Sequence, residues 1–130
     1  MNAPTEARSA LIELSAALRV VHQRLLAAIQ RNFEKLHGRV GRPADLLQLA
    51  VNDPLFAWLA PLTRQIAGID ELARDGVDAA AVAAVRAAIL ALLEDESEFR
   101  ASYLIYLQEE PDVVVAHATL RRLVAAGNAL

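Results

Sequence analysis

One apolar stripe constrains the fold of this chain more than any other feature. Leu11, Leu14, Leu18, Val21, Leu25 and Ala28 recur at spacings of three and four, and the stripe drifts on through Ile29, Phe33 and Leu36. Such spacing marks one face of an α-helix. With Gly38 as its stop, it predicts a helix from about Thr5 to His37, roughly 48 Å long at 1.5 Å per residue. In a chain of 130 residues, a stripe of that length can be buried only if other helices stack along it.

The remainder of the chain divides into shorter helical segments with recognisable ends. Pro43 opens a short segment to Val51, with proline at a first helical position where its missing N–H costs nothing. Asp53-Pro54 repeats that start, and Leu55, Leu59, Leu62, Ile66, Ile69 and Ala73 mark one face up to Asp75-Gly76. Asp78 caps the next segment, with the stripe Val82, Val85, Ile89, Leu92 and Leu93. Asp95 followed by Glu98 has the spacing of a capping box for the helix after it. Glu110-Pro111-Asp112 starts a last helix, which Gly127-Asn128 stops. No strand-like alternation, long linker or internal repeat interrupts the pattern. The expectation is one all-α domain over residues 1–130, an antiparallel bundle of four main helices. It has a long first helix, a short helix near 43–51, a proline-kinked second main helix, and a last helix interrupted at Pro111.

Composition sharpens this. Apolar residues make up 55% of the chain but aromatics only 5%, so the surplus is alanine, leucine and valine, more than a small domain ordinarily carries. No apolar run reaches the ~18 residues that suggest a membrane span. A net charge of −3 opposes binding to nucleic acid, which needs clustered basic charge. With no cysteine, disulfides and thiolate chemistry are excluded. Residues 1–6 have no basic stretch followed by an apolar one, so a cytoplasmic protein is expected.

Two places hold candidate chemistry. Pro61 lies seven residues beyond Pro54, where it should kink a continuous helix by removing the bond to the Ala57 carbonyl. Trp58, beside it, falls at the rim of the same apolar face. His117 falls within the stripe of Val113, Leu120 and Val124. A histidine there needs partners for its ring nitrogens, and Asp70, Tyr103 and Tyr106 are the candidates.

Other chemistry is thinly represented. Glu34 and His37 form one Glu-x-x-His pair, whereas a di-iron bundle needs two pairs and further carboxylates. Residues 35–43, KLHGRVGRP, are basic but lack phosphate-loop spacing, and Lys35 and His37 suit a helix C-terminus. The residues after His117, Thr119-Leu120-Arg121, are out of register with the pattern of phosphotransfer bundles. No serine sits in a nucleophile elbow. No enzyme, metal site or cofactor is expected.

The stretches DPLFAWLAPLTRQIAGIDEL (53–72) and LQEEPDVVVAHATLRRLV (107–124) resemble an uncharacterised family of small bacterial all-helical proteins. The resemblance implies an all-helical architecture and a bacterial origin, and carries no mechanism.

Two functional expectations follow. The segment Phe99 to Glu109 is apolar nearly all round, which marks a buried or interfacial helix. Leu104, Ile105 and Leu107 would then contact a second copy, most simply in a homodimer, or another protein. The alternative is a small-molecule sensor or carrier with a pocket under Pro61, lined by Trp58, Phe99, Tyr103 and Tyr106 and anchored by His117 and Asp70.

Overall fold

The computed structural model describes residues 3–38 and 53–126. Its first helix, α1 (Ala3–His37), runs 35 residues without a break, about 52 Å at the standard rise. Leu11, Leu14, Leu18, Val21, Leu25, Ala28 and Ile29 are all buried. The stripe then leaves the core, with Phe33 half-buried and Leu36 at 71% exposure. Gly38 ends the helix at φ 87°, a conformation open to glycine, and its N–H reaches the Glu34 carbonyl at 2.9 Å.

Five more helices are described: α2 (Pro54–Ala57), α3 (Ala60–Asp75), α4 (Ala79–Glu94), α5 (Glu98–Glu109) and α6 (Pro111–Ala125). Among the described residues there is no strand. α3, α4 and α6 surround the buried face of α1, and the most extensive contact joins α1 to α6. Side-chain pairs fix the directions. Arg19 meets Asp70 and His22 meets Thr63, so α1 and α3 run antiparallel. Arg31 bonds Glu110 at 2.9 Å, which sets the end of α1 beside the start of α6. α5 and α6 form a helical hairpin folded at Glu110. The result is the all-α bundle expected. The short helix expected near 43–51 lies outside the described residues.

The interruption at Pro61 is a break rather than a bend. α2 is a single turn, with Asp53 accepting from the Leu55 N–H at 2.9 Å and Pro54 in the first turn. Trp58 and Leu59 form a turn in which the Leu59 N–H bonds the Phe56 carbonyl at 3.0 Å. A new helix starts at Ala60, so Pro61 occupies an N-terminal position, where an N–H has no partner to lose. The Leu59 carbonyl receives both the Leu62 and the Thr63 N–H, at 2.9 and 3.1 Å.

A second difference concerns the start of α5. Ser97, not Asp95, is its N-cap, accepting from the Arg100 N–H at 3.0 Å. Asp95 instead closes α4, its N–H bonded to the Ala91 carbonyl at 2.9 Å. Glu98 therefore stands in the first turn of α5, where its charge favours the helix dipole without closing a capping box.

The core formed by these helices contains no buried polar or charged residue apart from tyrosine among those described. Stability consequently rests on apolar packing, because each cross-helix ion pair is exposed on at least one side and such pairs contribute at most about 1 kcal/mol. Leu25, fully buried on α1, should cost about 2–5 kcal/mol when replaced by alanine. Ser97→Ala should cost about 1 kcal/mol, and Asp95→Ala less than half of that. Urea denaturation of the three variants would measure the ordering, and equal losses at Ser97 and Asp95 would contradict the cap assignment.

Candidate functional site

The aromatic residues do come together, and the break at Trp58 is what allows it. By ending α2 after one turn, the chain sets Trp58 across α5 while Phe56 turns into the core. Tyr106 stacks on Trp58 with centroids 5.7 Å apart and planes at 18°. Trp58 meets Phe99 at 5.5 Å, Phe99 stacks on Tyr103 at 5.4 Å, and Tyr103 meets His117 at 5.4 Å. On the other side of α2, Phe56 contacts Phe33 at 5.8 Å, and Phe33 contacts His37 at 4.6 Å. The candidate pocket-lining rings therefore pack on one another. Contacts of this kind add roughly 0.5–1.5 kcal/mol per pair beyond simple burial.

The polar anchors expected for that pocket are divided. His117 Nδ1 lies 2.8 Å from the Tyr103 hydroxyl. Burial raises the Tyr103 phenol far above its usual range. Burial, and secondarily the Arg121 guanidinium, lower His117 below the ordinary histidine value. Both shifts favour the neutral forms, and one hydrogen bond joins the phenol to the imidazole, its direction set by the ring tautomer. Tyr106 has a different partner, accepting from Asn32 Nδ2 at 3.3 Å. Asp70 is engaged by Arg19 between α1 and α3, and so does not join His117.

Three residues along α1 from Arg19, His22 forms a second half-buried histidine site. The Thr63 hydroxyl donates to the Leu59 carbonyl at 3.4 Å and lies 3.3 Å from His22 Nε2, so the ring N–H is the donor to it. Burial, and then Arg19, lower His22 as well. No group of three or more histidines and carboxylates able to hold a metal ion occurs among the described residues.

On the helix expected to be interfacial, Ile105 is 53% exposed and Leu104 stands at the edge of exposure, whereas Leu107 is half-buried against the core. A second apolar surface lies elsewhere. Between α1 and α6 runs a groove of about 540 Å³ whose walls include Ala16, Val20, Val115 and Leu123, with Glu13, Arg24 and Asp112 at its margins. Val115 is 68% exposed. The sequence carried a sign of this groove. Val113, Val114 and Val115 sweep roughly 200° of helix at 100° per residue, so all three cannot face one core.

Compared with protein-family models, curated proteins and solved structures, the chain finds no match. Among the described residues no helix is long and apolar enough to cross a membrane.

The two lowered histidines make stability depend on pH in a definite direction. Both take up a proton more readily in the unfolded chain, whose histidines titrate near 6.5. Their contribution is therefore complete above that value and is lost as the pH falls below it. The melting temperature should hold steady from pH 8 to 7 and decline from 6.5 to 5. The double substitution His22→Gln, His117→Gln should shallow that decline, and an unchanged slope would contradict the neutral state of both rings.

Proposed function

We propose that the protein is a non-enzymatic helical module that acts by self-association, forming a homodimer, or in the alternative by docking another protein on the same surface. The observation carrying this reading is the apolar groove between α1 and α6, with Val20 and Val115 exposed along it. Single exposed apolar residues are ordinary on a protein surface, but a contiguous strip of them is the usual mark of an interaction site. Ile105 and Leu104 add apolar surface on the α5–α6 hairpin. The small-molecule reading draws less support, because the rings that would line its pocket pack on each other and Asp70 is engaged by Arg19. A cytoplasmic setting and membership of a family of small bacterial all-helical proteins belong to the same proposal.

Native mass spectrometry and light scattering across micromolar to millimolar protein test it. The expected species is twice the 14.1 kDa chain mass at the higher concentrations. A chain that remains a monomer over the whole range overturns self-association.

A further inference from the structure

The outer face of α1 carries a charge pattern that selects its own occupant. Glu6, Glu13, Ala16, Val20, Arg24, Ala27 and Arg31 are all exposed. At 100° per residue they fall within an arc of roughly 80°, so they form one stripe, whose middle residues Glu13, Ala16, Val20 and Arg24 line the groove. Among these exposed residues the acids occupy the first half and the bases the second, and the half-buried Glu34 follows beyond Arg31. Glu13 and Arg24 are equally distant from a point midway between Leu18 and Arg19, and so are Glu6 and Arg31. Between the charges, the stripe is made of small and apolar side chains.

A helix with this pattern is self-complementary in one orientation only. Parallel copies would set Glu13 against Glu13 and Arg24 against Arg24. A two-fold axis through the common midpoint sets Glu13 of each copy against Arg24 of the other, and Glu6 against Arg31, with Ala16 and Val20 meeting at the centre. Resting on the self-association reading above, we infer that the α1/α6 groove is an isologous interface in which α1 packs antiparallel on α1 of a second copy.

Three further observations fit this occupant. Among the described residues, Glu6, Glu13 and Arg24 enter no ion pair within the chain. Arg31 does bond Glu110, yet its side chain is 53% exposed, and a guanidinium has donors to spare for a second carboxylate. On α6, Val115 and Leu123 lie four residues either side of Thr119, all three lining the groove. A two-fold axis passing near Thr119 would therefore carry Val115 of one copy over Leu123 of the other. The alanines permit close approach of the two α1 helices, and a helix of about 52 Å provides the length that a stable interface of roughly 1,200–2,000 Å² needs.

Charge reversal at exposed positions, which leaves the core untouched, tests the geometry. Glu13→Arg alone converts two attractive contacts into two repulsive ones, as does Arg24→Glu alone. Each should weaken dimerisation by about tenfold at low salt, with the difference shrinking at high salt. Two rescues should follow. The double variant E13R/R24E should dimerise nearly as well as the parent chain. An equimolar mixture of the E13R and R24E proteins should form a heterodimer more readily than either forms a homodimer, visible by native mass spectrometry when one is isotopically labelled. A dimer indifferent to both single reversals, and disrupted by Ile105→Asp, would overturn this interface while leaving self-association standing. Single reversals that weaken dimerisation without either rescue would overturn the antiparallel pairing. A parent chain that is monomeric at every concentration would overturn both readings together.

Discussion

Covering one long apolar stripe is the requirement from which the rest of the architecture follows. α1 buries eight side chains between Leu11 and Ile29, a length no single shorter helix among those described can cover. α3, α4 and α6 therefore divide the work, and α2 adds cover near the end of α1. α5 is held chiefly through α4 and α6. Of the described helices that follow α1, three begin with proline in the first turn, α2, α3 and α6. Each start is thus written into a residue that cannot continue a preceding helix. Because the buried interior is apolar apart from its tyrosines, nearly all the polar linkages lie at the rim, where they orient helices more than they stabilise them.

What was legible in the sequence was whatever depends on local periodicity. The stripes of α1, α3, α4 and α6 could be read from spacing alone, and the buried residues match them closely. Ends were less legible because two residues can compete for one cap. Asp95 and Ser97 both suit the role, and the choice fell to Ser97 once Asp95 was needed to finish α4. Pro61 illustrates another limit. Its missing N–H is visible in the sequence, but whether a helix bends around it or restarts beneath it depends on where Trp58 and Phe56 find cover. The rings named for the candidate site are brought into contact, since each lies on a face turned toward the bundle. Asp70 was not, because its nearest cation, Arg19, is 51 positions away in the chain, and no periodicity announces such a pairing. The groove between α1 and α6 went unread for a related reason: an exposed stripe of alanine and valine looks like ordinary helix-forming surface until a neighbouring helix gives it a second wall.

The half-buried histidines show how a core this apolar accommodates polar rings. Each is given one hydroxyl, Tyr103 for His117 and Thr63 for His22, while burial and a neighbouring arginine hold its proton affinity below the ordinary histidine value. Tyr103 also belongs to the stacked rings, so its hydroxyl ties the aromatic layer of α5 to α6. The two histidines thereby act as local fasteners whose strength changes with protonation, while the charges they would otherwise need stay outside.

The pairing of α1 with α6 has a consequence for how the chain reaches its native state. The α3–α4 and α5–α6 pairs join neighbours in sequence, so their encounter closes short loops at little entropic cost. The α1–α6 contact joins the first helix to the last and closes the largest loop available. Helical proteins usually fold fast because their contacts are local. Here the principal contact is not, and the part of the α1 stripe that α6 covers stays open to solvent until that distant closure is made. The interval before it is when the chain is most exposed to aggregation and to proteases.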